Sequence, residues 1–135
     1  MLELSKTINE SGKRKTAIAR AALSKGTGKV RINNVPLELY EPKVYRMRIE
    51  EPLILSGDIR NSIDITVKVI GGGPMSQSDA TRTAIARALV EHSPRLKQVF
   101  LEYDRHLLVA DVRRKETHKP NTHGHARAKK QKSYR

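Results

Sequence analysis

The chain has 135 residues and a formal net charge of +13, from 27 Lys and Arg against 14 Asp and Glu, with a sequence pI near 10.3. That length holds one ordinary domain and little else, and that charge asks for a polyanion or an anionic membrane surface as partner. No apolar run approaches the ~20 residues of a bilayer span, Met1–Glu10 mixes charge into its apolar residues as no secretion signal does, and the absence of Cys excludes a disulfide framework, a thiolate metal site and a cysteine nucleophile. The expectation is a protein of a reducing cytosol with no membrane partner.

Residues 15–23 (KTAIARAAL) are ambiguous: the alanines favour helix, whereas Thr16, Ile18 and Arg20 on one side suit a strand. Gly26-Thr27-Gly28-Lys29 is no phosphate-binding P-loop, since Val30 occupies the hydroxyl position and Leu23 the first glycine position. Val30–Ile32 and Val35–Leu39 alternate around Asn33-Asn34, a pair that tolerates positive φ and predicts a hairpin, with Pro36 pushing its strand to an edge. Ile63–Val69 alternates with β-branched residues throughout and predicts a half-buried central strand that Gly71-Gly72-Gly73-Pro74 ends.

Ser76, Ser78 and Asp79 offer caps for a helix through about His92, with Thr81, Ile85, Ala88, Leu89 and His92 on one face. Ser93-Pro94 starts a second helix, in which Leu96, Val99, Phe100 and Tyr103 share a face. Strands followed by packed helices predict an α+β fold. Residues 113–135 hold nine of the basic residues and one acid, Glu116, so they carry +8 of the net charge without any Val, Ile, Leu, Met or Phe. The expected organisation is a globular domain over 1–112 and a basic tail over 113–135, disordered when free.

A strand, a glycine loop and then a helix can hold phosphate on backbone N–H groups. Gly71, Gly73 and Ser76 match a dinucleotide fingerprint poorly, which leaves a plain tight turn or a backbone closely approached by polynucleotide phosphate. His118, His123 and His125 lack the further ligands zinc needs and add donors to the basic tail instead. His92 and His106, beside apolar residues, are expected to be structural. Asp58, Asp64, Asp104 and Asp111 have no spacing that argues for a metal-dependent nuclease. One Phe and no Trp leave little for a base-stacking platform, so recognition should address phosphate, 2′-hydroxyl and shape. No cofactor and no obligate homo-oligomer are expected.

Residues 11–20 (SGKRKTAIAR), Glu51-Pro52-Leu53, Val69-Ile70-Gly71-Gly72-Gly73, Gln77, residues 84–89 (AIARAL), Tyr103-Asp104-Arg105 and Lys132-Ser133-Tyr134-Arg135 occur in that order. This set resembles the family of ribosomal protein nine of the small subunit, in its archaeal and eukaryotic form, over about Ser11–Arg135. The resemblance implies a small mixed β-sheet with helices on one face, like the second domain of ribosomal protein five, with a left-handed β-α-β crossover and a basic C-terminal extension. It implies that residues 15–24 are strand. Where the family pattern has Gly followed by Gln, this chain has Ser76-Gln77.

The implied function is structural, without catalysis. The domain would bind ribosomal RNA of the subunit head, in the 3′ major domain, beside neighbouring head proteins. The ribosomal RNA contacts would include Lys13, Arg14, Lys15, Arg20, Gly71, Gly72, Gly73, Gln77, Arg82 and Arg105, then Arg113, Arg114, Lys119, Arg127, Lys129 and Lys130 of the tail. Lys132, Ser133, Tyr134 and Arg135 would reach the anticodon arm of peptidyl-site tRNA. The competing classes are a basic architectural protein that compacts DNA or RNA, and a basic ribonuclease.

Overall fold

A hairpin opens the computed structural model, which describes residues 6–121 and 124–127. Strand β1 (Ile8–Arg14) pairs antiparallel with β2 (Ala17–Lys25) across the turn Lys15–Thr16, where Lys15 takes a φ of 53°. The alanine run is therefore strand, as the family resemblance implied and against its helix propensity. Tertiary packing decides it: Ala17, Ala19, Ala21 and Leu23 alternate along β2 and are all buried.

Strands β3 (Val30–Ile32) and β4 (Val35–Pro36) form the expected hairpin, with φ of 50° and 66° at Asn33 and Asn34. The Asn33 side chain extends the ladder. Its Nδ2 donates to the Val69 carbonyl (3.1 Å) and its Oδ1 accepts from the Val69 N–H (2.9 Å). The expected strand to Leu39 stops early, because Pro36 has no N–H to pair and residues 37–39 coil into a 3-10 turn that buries Leu37. Helix α1 (Lys43–Ser56) follows, an element that the sequence pattern did not announce.

Strand β5 (Ile63–Ile70) occupies the middle of the sheet, whose order is β1-β2-β5-β3-β4. It runs antiparallel to β2 and parallel to β3, so α1 is carried on a parallel crossover and β4 lies at an edge. Helix α2 (Pro74–His92) and helix α3 (Leu96–Tyr103) complete an α+β fold with helices on one face of a mixed sheet. The one-sidedness is visible in the alternation: Ile63, Ile65, Val67 and Val69 are buried, whereas Thr66, Lys68 and Ile70 between them are exposed.

α2 is the hub of the core. Ala80, Ala84, Ile85, Ala86, Ala88 and Leu89 are fully buried between the sheet and the flanking elements. Gly12 on β1 allows this closeness, because a Cβ there would stand 2.3 Å from the Ala80 carbonyl oxygen and 2.6 Å from the Ala84 nitrogen.

Several helix expectations need correction. α2 begins at Pro74, the favoured first-turn residue, with Gly73 as N-cap; the Ser78 hydroxyl donates to the Met75 carbonyl and Asp79 pairs with Arg48, so neither caps the helix. Ser76 lies in that first turn, outside the positive-φ residues, and carries no strain from lacking the family's glycine. α3 starts at Leu96, and it buries Leu96 and Phe100 but leaves Val99 and Tyr103 exposed. His92 and His106, expected to be structural, are exposed too.

Candidate nucleic-acid interface

Three consecutive glycines link β5 to α2, and they do different things. Gly71 and Gly72 have φ of 79° and 64°, a region other residues enter at a cost. A Cβ on Gly71 would meet the Thr16 carbonyl oxygen at 2.6 Å, and one on Gly72 the Ala17 Cβ at 3.0 Å. The protein's own β1–β2 turn therefore uses both positions, and Gln77 Nε2 fastens the loop by donating to the Gly71 carbonyl (3.0 Å). Gly73 differs: its φ is −100° and nothing stands within 4 Å of an added Cβ. All three are exposed, and of the three only Gly73 has open space where a side chain would stand.

Beside this loop, β1, α1, α2 and the segment leading into the tail form a cleft that brings together Arg14, Arg48, Arg82 and Arg113. Most of its positive charge is already matched. Arg82, whose side chain is 6% exposed, binds Glu51 through Nε (2.8 Å) and Asp104 through an Nη (3.1 Å). Burial opposes ionisation of Asp104, but the His106 N–H and Arg82 outweigh it and hold its carboxyl below the usual range. Arg82 is thus an internal strut tying α1, α2 and residue 104 together; the expectation that it faces RNA does not suit its burial. Arg87, which the sequence reading missed, works similarly: it donates to the carbonyls of Leu108 (3.0 Å) and Ser11 (2.8 Å).

Arg14 and Asp111 anchor the root of the tail. Arg14 approaches Asp111 (3.4 Å) and Asp79 (3.9 Å) and donates to the Arg113 carbonyl (3.4 Å). Arg113 returns a forked pair of hydrogen bonds to the Asp111 carboxylate, at 3.1 and 2.7 Å. These guanidinium bonds, followed by the Arg113 backbone N–H, hold the Asp111 carboxyl far below its ordinary value. Further along, Arg127 pairs with Glu116, the Lys119 N–H donates to the His125 carbonyl (2.8 Å), and the His118 and His125 rings stack at 4.7 Å. Arg105 and Arg114 are exposed. His123, Lys129, Lys130, Lys132, Ser133, Tyr134 and Arg135 lie outside the described residues.

Lys13, Lys15 and Arg20 are exposed, Lys15 at the tip of the β1–β2 turn and the other two on the sheet face that carries no helix. The Gly26–Lys29 loop does form an anion-binding nest, but Asp64 fills it. One carboxylate oxygen of Asp64 accepts from the N–H groups of Thr27 (2.9 Å), Gly28 (3.1 Å) and Lys29 (2.9 Å), led by the Lys29 bond in lowering its pKa. Asp104 and Asp111 are likewise engaged with arginines, and no metal-sized group of three or more His, Asp or Glu occurs among the described residues. No helix among the described residues is long and apolar enough to cross a membrane.

A sequence model of the family described as ribosomal protein S9/S16 matches residues 12–135. Similar curated proteins come from Methanococcus vannielii, Methanococcus maripaludis and Methanothrix thermoacetophila, and each is named small ribosomal subunit protein uS9. Each is 53% identical to this chain, over 96% of the chain and 99% of the relative.

Proposed function

The chain belongs to the ribosomal protein S9/S16 family, and from that premise we propose that it is a structural constituent of the small ribosomal subunit, acting in translation by binding ribosomal RNA and neighbouring proteins rather than by catalysis. It works in the cytoplasm, within the ribosome. Residues 1–112 dock on RNA of the subunit head, in the 3′ major domain, and the basic tail over 113–135 extends from that domain into the RNA. The tail then threads between RNA segments, and Lys132-Ser133-Tyr134-Arg135 touch the anticodon arm of peptidyl-site tRNA.

The observation that carries this reading is likeness over almost the whole chain to proteins named for the small ribosomal subunit. The chemistry supports it. A segment with eight uncompensated charges and no large aliphatic residue gains from counterion release what it loses in ordering entropy. Carboxylates already committed to arginines and backbone N–H groups weaken the ribonuclease alternative, because a catalytic metal needs free ones.

Two measurements test it. The native protein should cosediment with small subunits through a salt wash; release into the supernatant would overturn the ribosomal reading. Deleting residues 132–135 should spare incorporation yet weaken peptidyl-site tRNA binding by roughly 1–3 kcal/mol, the worth of one or two charge-assisted contacts. Normal tRNA affinity on fully assembled subunits would overturn the role of the tip.

A further inference from the structure

The sheet has one face without helices, and its outward positions form a pattern. β1 presents Asn9, Ser11 and Lys13; β2 presents Ile18, Arg20, Ala22 and Ser24; β5 presents Asp64, Thr66, Lys68 and Ile70; β3 presents Arg31. Register sets the cations on a diagonal. Lys13 stands opposite Ile18, one row further Ser11, Arg20 and Lys68 align across three strands, and one row beyond that Ala22, Thr66 and Arg31 align. With strands ~4.8 Å apart and ~3.3 Å per residue, the line from Lys13 through Arg20 and Lys68 to Arg31 spans about 20 Å.

All four of these side chains are exposed, and none makes an ion pair with a described residue. The strands place a single acid on this face, Asp64, and the three N–H groups of the Gly26–Lys29 loop already hold it. Between the cations lie the small or hydroxylated side chains of Ser11, Ala22 and Thr66, which leave the diagonal open to a polymer backbone, and Ile18 and Ile70 border it at the Lys13 end. It has no aromatic residue, and stacking of unpaired bases has no platform there.

We propose that this open sheet face is a docking surface for the sugar–phosphate backbone of duplex RNA, met by the diagonal Lys13–Arg20–Lys68–Arg31. The inference rests on the ribosomal reading and deepens it. Arg31 and Lys68 enter as contacts, and the ligand is a paired segment of RNA, distinct from whatever the tail threads through. The cations take successive phosphates, and the Ser11 and Thr66 hydroxyls and the Asn9 amide suit 2′-hydroxyl groups along the shallow groove.

The test uses full-length protein carrying Arg20→Gln and Lys68→Gln together, both on solvent-facing positions of paired strands. Thermal melting should match the parent. In filter-binding titrations against a fully paired RNA hairpin, the log–log salt slope should flatten by about 1.8, two contacts at ~0.9 each. Affinity for an unstructured RNA of equal length should change much less. An unchanged hairpin slope in a variant whose parent cosediments with small subunits would overturn the docking surface and leave the ribosomal reading standing. Equal losses on hairpin and unstructured RNA, or on a DNA duplex of the same sequence, would overturn the assignment to duplex RNA. A parent that fails to cosediment would instead sink the reading beneath it.

Discussion

Lys13 and Arg14 are neighbours in β1 with opposite fates. Arg14 turns toward the helices, where Asp79, Asp111 and the Arg113 carbonyl surround it; Lys13 turns to the open face and pairs with no described carboxylate. The contrast holds for the two sides of the sheet as a whole. On the helix side Arg48, Arg82 and Arg113 are matched to acids, and on the open side Arg20, Arg31 and Lys68 are not. A strand alternates its side chains, so a step of one residue separates a cation that holds the fold from one left for a partner. Net charge alone cannot make that distinction.

The sharpest way to break the contrast is to substitute on each side of one strand. Gly12→Val drives a side chain into the α2 backbone and should destabilise the protein by more than about 3 kcal/mol in urea denaturation, whereas Ser11→Val, facing outward, should stay within about 0.5 kcal/mol. Comparable losses at both positions would mean that the open face is itself part of the packed structure.

A smaller effect is expected from Arg82→Ala. It leaves Glu51 and Asp104 without their shared partner, but both carboxylates are about one-third exposed and can rehydrate. The expected cost is therefore about 1–2 kcal/mol, well below that of breaking a fully buried pair. The salt slope of RNA binding should not move; a flattened slope would place Arg82 among the RNA contacts after all.

The smallest effect concerns an acid rather than a base. Glu10 is held above its ordinary pKa by its hydrogen bond with Glu91, then by burial, with nearby Arg87 in partial opposition. A raised carboxyl binds its proton more tightly in the folded state, so the penalty is absent below the unfolded value and grows as pH rises through the folded one. Glu91→Gln should therefore stabilise the protein by roughly 0.2–0.5 kcal/mol near pH 7 and change nothing near pH ~3. A gain of equal size at both pH values would assign the effect to something other than carboxylate repulsion.

How much of this was readable beforehand differs from element to element. The central strand declared itself through β-branched alternation at 63–69, the hairpin through two asparagines, and α2 through its apolar face. α1 did not, because Pro52 lies inside it and Val44, Met47 and Ile54 are exposed while Ile49, Pro52 and Leu53 are buried, so no clean apolar stripe marks it. β1 hid for a different reason: its inward positions include a glycine and two charged residues, which carry no hydrophobic period. Arg82 was chosen by residue type, and nothing local revealed that two distant acids would enclose it. Lys68 could have been found, since the strand containing it was read correctly and its parity sets it with Thr66 on the outer face.

The layer between the sheet and α2 is built largely from Ala17, Ala19 and Ala21 of β2 and Ala80, Ala84 and Ala88 of α2, with Gly12 of β1 beside them. Alanine and glycine have no side-chain torsions with heavy atoms to rotate, so this layer cannot yield by switching rotamers as a leucine layer would. Its stiffness is then set by direct backbone-to-backbone contact at crystal-like density. A push on the outer face of the sheet is carried into α2 as displacement rather than absorbed as rearrangement, and α2 carries Arg82 and Asp79, which hold α1, Asp104 and Arg14 of β1. The layer therefore holds the sheet and α2, with the side chains each carries, in fixed register.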